Sequence, residues 1–150
     1  MKKMKVYVDA CCWDRRHDDL TDKAIKAEAV AIMSIIDMCQ VAGHGIVGSA
    51  AVLAELQGIP EADLREDTLT FYKNTINIHA KPTENAIKRM YDFRAKGLKN
   101  MDSLHLAIAE AADVDVLLTV DKDFERISTN KKLSTVKVIN PLKLTMGGLI

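Results

Sequence analysis

Five short runs rich in apolar residues recur along the chain, MKVYV, GIVGS, INIHA, VDVLLT and TVKVIN, and helical patterns separate each from the next. That alternation constrains the fold more than any other feature. Strands joined by helices cross over in the right-handed sense, so they line up parallel with helices on both faces of the sheet. The runs are close to continuously apolar, as suits strands buried on both sides. The expected class is α/β, a three-layer α/β/α sandwich around a central, mainly parallel sheet. With 150 residues and no internal repeat, low-complexity tract or Pro/Gly-rich linker, one domain spanning residues 1–150 is expected.

The segments between the runs fill in the rest. Ile25, Ala29, Ile32, Met33 and Ile36 fall at helical spacing in a stretch from Ala24 to Ala42, which Gly43 and Gly45 close. AAVLAEL starts a helix directly after Ser49, and Pro60 opens another over Glu61 to Lys73. Thr83 begins a helix that runs to Gly97, and Asn100 caps the next, whose inward stripe is Leu104, Ala107, Ile108 and Ala111. WDRRHDDLTD reads as a polar connection, DFERI as a short helical turn, and Pro141 stops the last strand. The final LTMGGLI is apolar for a tail and is expected to pack on the domain or on a partner.

Composition narrows the function classes. Apolar residues make up 48% and charged residues 28%, the balance of a globular protein. Lys+Arg and Asp+Glu both count 21, so no global field steers the chain to nucleic acid or to an anionic membrane. A polyanion site must be a local patch. Aromatic residues are only 5%, too few for a base-stacking platform, and Trp13 and Tyr91 are expected in the core. MKKMKVYVDA enters structure without the pattern of a secretory leader, and no apolar run approaches the roughly 18 residues of a membrane span. Cys11, Cys12 and Cys39 form no CxxC pair, so a reduced, cytoplasmic setting is expected, with Cys11 and Cys12 as small buried fillers.

The acids stand out against this frame. Ligands of an open parallel sheet bind outside the carboxyl ends of its strands. Asp9 ends the first run, Asp121 lies just past the fourth, Glu55 sits on the helix leaving the second, and Asp102 lies in the first turn of the helix before the fourth. Each alone has an ordinary explanation. Asp102 complements a helix dipole, Glu55 is a solvated face residue, and Asp121 or Asp123 caps the DFERI turn. Asp9, on the end of a buried strand, is the hardest to explain without a partner. Carboxylates brought together repel and take up protons unless a cation neutralises them. Mg²⁺ or Mn²⁺ suits such oxygens, polarises a phosphoryl group and activates water, so the joint placement points to phosphodiester hydrolysis.

KVYVDACCW, GSAAVLAEL, KNMDSLHLAIAEA and VDVLLTVDKDF, in that order and at fitting intervals, resemble the PIN-domain family, in particular the small VapC-like ribonuclease toxins. The resemblance covers almost the whole chain. It implies a PIN-like fold and an endoribonuclease dependent on Mg²⁺ or Mn²⁺, with Asp9, Glu55, Asp102 and Asp121 as catalytic, metal-binding acids. It places Asp123 as a substitute or supporting acid, and Ser49 and Thr119 as hydroxyls that orient carboxylates or water. The fourth acid, matched here by Asp121, is the least constant position of the family.

Arg15 and Arg16, in the loop after the first strand, are read as phosphate contacts against the alternative of a solvated loop. His105 is read as a packed or hydrogen-bonded helix residue rather than a general base. The resemblance further implies an RNA substrate, an antitoxin protein that covers the acidic cleft, and a homodimer with the long first helix pair as interface. Two other readings of the residues stand beside it. One is a PIN-shaped RNA- or protein-binding module without turnover, or a housekeeping nuclease that is not a toxin. The other, a phosphatase or receiver domain, is disfavoured. Ala10 and Cys11 follow Asp9 where a D-x-D would be needed, and Lys137 falls mid-strand rather than at a strand end.

Overall fold

A computed structural model describes residues 2–144 of the chain. The elements, in chain order, are β1 (Lys5–Val8), α1 (Ala10–Trp13), α2 (Lys23–Ala42), β2 (Gly45–Ser49), α3 (Ala50–Gln57), α4 (Ala62–Thr75), β3 (Ile78–Ala80), α5 (Glu84–Ala95), α6 (Asn100–Ala111), β4 (Val116–Leu118), α7 (Lys122–Asn130) and β5 (Lys137–Ile139), with 3-10 turns at Arg15–His17 and Pro141–Lys143. All five strands pair in parallel, in the order β3-β2-β1-β4-β5. The chain leaves β1 toward β2 on one side and leaves β4 toward β5 on the other, so right-handed crossovers put α2 and α7 on opposite faces. The α/β sandwich follows. It also makes the β1–β4 boundary the switch point, the crevice where such sheets bind ligands.

The core explains the strand composition. Val6, Tyr7 and Val8 of β1 and Val116, Leu117 and Leu118 of β4 are all buried. Trp13 fills the space beyond β1, edge-on to Phe71 and Tyr72, with its Nε1–H donating to Val8 O at 3.0 Å. β2 passes tightly under α4: a Cβ on Gly48 would overlap Tyr72 and Ile76, so only glycine fits. Tyr72 Oη donates to Ser49 O across the same contact.

Side-chain caps fix the helix starts. Asp22 accepts from Ala24 and Ile25 N–H, Ser49 from Val52 N–H and Thr83 from Ala86 N–H. Gly43 ends α2 with φ +74°, a conformation glycine adopts without strain.

Several expectations shift. The third, fourth and fifth strands contract to three residues each, because the ladder ends where backbone groups find turns or caps. DFERI belongs to a full helix of nine residues, α7. Lys99, not Asn100, is the N-cap of α6, and that cap has no side-chain hydrogen bond. Ala111 is exposed, since α6 turns toward its neighbours on a broader face that buries Ser103, His105, Leu106 and Ala109 instead. The short α1 precedes the polar connection and ends on its first residue, Trp13, and the connection itself contains the 3-10 turn Arg15–His17. Tyr91 lies on the surface with Arg94 against its ring, not in the core. The expected packing of LTMGGLI falls, beyond Leu144, outside the described residues.

Candidate metal centre at the carboxyl ends of the strands

Asp9 follows β1 and is 5% exposed. Its carboxylate is held from several sides. Oδ1 accepts from Ala10 N–H at 2.8 Å, which also caps α1, and Oδ2 accepts from Thr119 Oγ1 at 2.8 Å. Cys11 Sγ lies 3.4 Å from Oδ2. Cys11 is thus half-buried at the site rather than a core filler, whereas Cys12 is buried and its thiol is pushed well above its usual range by that burial. Thr119, at the end of β4, positions Asp9 across the switch point.

The second approach comes from α3 and α6. Glu55 is exposed on α3, and its Oε1 meets His105 Nε2 in a hydrogen-bonded ion pair. The same Nε2 lies 3.6 Å from Asp9 Oδ1, while His105 Nδ1 meets Tyr7 Oη at 2.6 Å and Tyr7 Oη meets Ser49 Oγ at 2.7 Å. Burial works to lower the His105 pKa, but the Glu55 hydrogen bond and the charges of Asp9, Glu55 and Asp102 outweigh it and the net shift is upward. In its protonated form, which that shift favours, His105 donates from Nε2 to Glu55 and from Nδ1 to Tyr7. Asp9, Glu55 and His105 each offer a ligand atom, all within 4.8 Å of one another.

Asp102 sits one turn before His105 on α6, partly buried. Burial raises its pKa first, the charges of Asp9 and Asp121 raise it further, and His105 and Lys99 pull the other way; the result is about 7. Asp102 therefore lies within the field of both strand-end acids. Asp121 caps α7, with Oδ1 accepting from Asp123 and Phe124 N–H, and Lys99 Nζ stands 3.9 Å from its Oδ2. Asp123 is turned outward and paired with Arg126 at 3.0 Å.

The four acids named from the sequence are thus linked at one end of the sheet: Asp9 and Glu55 both approach His105 Nε2, and Asp102 lies in the field of Asp9 and Asp121. Ser49 does not touch a carboxylate; it caps α3 and anchors Tyr7. Arg15 is engaged by Glu28 at 2.6 Å and Asp18 at 3.0 Å, and Arg16 by Asp67 at 2.7 Å with its guanidinium 4.4 Å over Phe71.

Sequence reasoning passed over one site residue, Tyr7, which carried a signal, a hydroxyl in the middle of a buried strand that must find a partner. His105, expected as a packed or hydrogen-bonded helix residue, is buried and bonded to both Glu55 and Tyr7, partners its sequence position did not name.

The donor set fits a hard divalent cation. Carboxylate oxygens dominate it, and Asp102 is lifted to about 7 first by its own burial and then by the charges of Asp9 and Asp121, which His105 and Lys99 only partly offset. Asp9, Asp102, Asp121 and Glu55 could hold such an ion.

Comparison with known proteins agrees with this architecture. Among solved structures, VapBC2 from Rickettsia felis bound to a DNA fragment from their promoter is similar, with a TM-score of 0.62 and 16% identity over 91% of this chain and 98% of that one. VapC20 of Mycobacterium tuberculosis, a sarcin-ricin loop cleaving toxin, is similar with a TM-score of 0.56 and 12% identity over 81% of this chain and 93% of that one. No curated protein matches the chain in sequence. The PIN domain family model matches residues 6–130. The order of the acid-bearing segments, the parallel sheet and that match agree, and the chain belongs to the PIN-domain family.

Proposed function

We propose that the protein is an endoribonuclease that hydrolyses RNA phosphodiester bonds with Mg²⁺ or Mn²⁺ held by Asp9, Glu55, Asp102 and Asp121, and that it acts as the toxin of a toxin–antitoxin pair. The observation that carries this reading is the convergence at the strand ends, where Asp9 and Glu55 offer ligand atoms within 4.8 Å of each other and Asp102 lies in the field of Asp9 and Asp121. A structural surface acid has no reason to sit in such a field, whereas a cation ligand does. The similarity in fold to a VapBC assembly and to an RNA-loop-cleaving toxin supports the substrate class and the partner.

When bound, a divalent ion supplies Lewis-acid polarisation of the phosphoryl oxygen and lowers the pKa of water. The chain supplies the rest. Thr119 Oγ1 and Ala10 N–H fix the Asp9 carboxylate in one orientation, and Asp121 is held by the α7 cap with Oδ2 left toward the site. His105 keeps Glu55 drawn in from an exposed position, and Tyr7 holds the imidazole from the opposite nitrogen. Lys99, 72% exposed at the rim, is a cation placed for a substrate phosphate. Arg15 and Arg16 can contact phosphate only by exchanging their carboxylate partners.

An antitoxin covers this acidic mouth with a cationic or amphipathic segment. The protein forms a homodimer, for which exposed Val30 and Val41 on α2 offer apolar contact. No helix among the described residues is long and apolar enough to cross a membrane, and the proposed setting is cytoplasmic. The test is cleavage of end-labelled single-stranded and hairpin RNA with Mg²⁺, Mn²⁺ or EDTA. The wild type cleaves with either ion and not with EDTA, and Asp9→Asn or Asp102→Asn lowers the rate by about 10² or more. Equal cleavage by wild type and both variants removes the assignment.

A further inference from the structure

The sheet edge opposite β3 carries a second recess. β5 is the outermost strand on that side. A groove of about 930 Å³ lies against it, walled by α7 and by the start of α2. Lys137 N–H donates to Asp115 O and Ile139 O accepts from Thr119 N–H, so both residues turn their backbone toward β4. Val138, between them, turns its N–H and C=O outward, where no strand stands among the described residues. The flanking amides are already covered: Val136 N–H by Ser134 Oγ at 3.1 Å, and Asn140 N–H by Glu125 Oε2 at 2.7 Å. The unpaired part of the edge is therefore short and centred on Val138, itself only 5% exposed.

Two independent observations point to a ligand there. Ser128 on α7 lines the groove, is 8% exposed, and its Oγ has no hydrogen-bond partner. Its Oγ is closed off in this conformation, so a ligand relieves the cost of the unpaired hydroxyl by drawing the side chain round toward the groove. The second is charge. Lys122, Lys132 and Lys137 line the groove with no ion-pair partner among the described residues, whereas its acids are consumed, Glu28 by Arg15 and Asn140 and Glu125 by Lys143.

We propose that this groove docks an extended acidic segment of a partner protein, added along β5 as a sixth strand. Its carboxylates lie over the three lysines, a polar group meets Ser128, and its backbone pairs with Val138. A nucleic-acid strand fits less well. No aromatic side chain lines the groove for stacking, and a phosphodiester has no donor for the Val138 carbonyl.

The test uses metal-free full-length protein, so that it stands apart from the nuclease reading. The probe is a fluorescein-labelled peptide of about nine residues alternating valine and glutamate, long enough at roughly 3.3 Å per residue to run past β5. Its controls alternate valine and lysine, or carry N-methyl groups at alternate positions in either register, and an oligouridylate of similar length is run beside them. Fluorescence anisotropy shows saturable binding of the acidic peptide and none of the lysine peptide. Affinity falls about tenfold for the Lys132→Glu/Lys137→Glu variant, both positions being exposed, and for one N-methylated register. Ser128→Ala, which leaves the charges in place, weakens the same peptide. Equal binding of the lysine peptide, or indifference to both N-methylation and the lysine variant, overturns the proposal. So does tighter binding of the oligouridylate that is lost in that variant, which would assign the groove to RNA.

Discussion

At Asp102, burial and two neighbouring acids act in the same direction, so its proton is held to about pH 7 instead of the usual carboxyl range. The consequence for stability has a definite sign. The folded carboxyl binds its proton more tightly than the unfolded one. Stability from this group is therefore complete below the unfolded value near pH 4 and is lost as pH rises through about 7. His105, whose folded pKa is also raised, contributes stability that is present below its unfolded pKa of about 6.5 and lost as pH rises through the raised value.

Both groups make the metal-free protein less stable at pH 8 than at pH 5. Asp102→Asn removes one of the two: it stabilises the metal-free protein at pH 8 by about 1–2 kcal/mol after allowance for solvent screening, and flattens the decline between pH 4 and 7. Thermal melts across that range in chelator check it. A variant that melts below the wild type at pH 8 contradicts the electrostatic account.

The elements divide into those whose residues announce them and those that tertiary contact creates. α2, α3 and α5 were legible because their caps, Asp22 aside, and their apolar spacing lie within the segment itself. Two of the three short strands were overestimated at their ends because the residue after the ladder continues the strand-like run: Thr119 and Asn140 look like strand residues but serve Asp9 and a turn. α1 was not legible. Only four residues long, it is set by the Asp9 cap and by Trp13 packing on Phe71 and Tyr72, none of which is local pattern.

The link between β1 and α6 is likewise tertiary, running from Ser49 through Tyr7 to His105. Tyr7→Phe keeps the packing and strands a buried imidazole nitrogen, while Ser49 Oγ retains only its bond from Val52 N–H. It should cost about 1–3 kcal/mol in urea denaturation and lower activity by loosening Glu55. An unchanged midpoint with unchanged activity would show that the relay holds nothing in place.

Across the whole molecule, topology converts four scattered acids into one site. Asp9 and Asp121 flank the switch point because β1 and β4 are neighbours whose chains depart in opposite directions. The strand-end positions were readable in the sequence. The imidazole that draws Glu55 to Asp9 was not, since nothing local tells a helix histidine which element it will face. Neutral net charge means that no global positive field offsets the acids of this site. A ligand that binds only the folded state raises its melting temperature, so millimolar Mg²⁺ or Mn²⁺ should stabilise the wild type most where the acids are ionised, near pH 8.

The most direct test of the converging-carboxylate claim is a calorimetric titration of Mn²⁺ into wild type, Asp9→Asn and Asp102→Asn at pH 8. Saturable binding in the wild type, weakened about tenfold or more in each variant, is the expected result. No saturable binding in the wild type, or the same Kd in all three proteins, would contradict it.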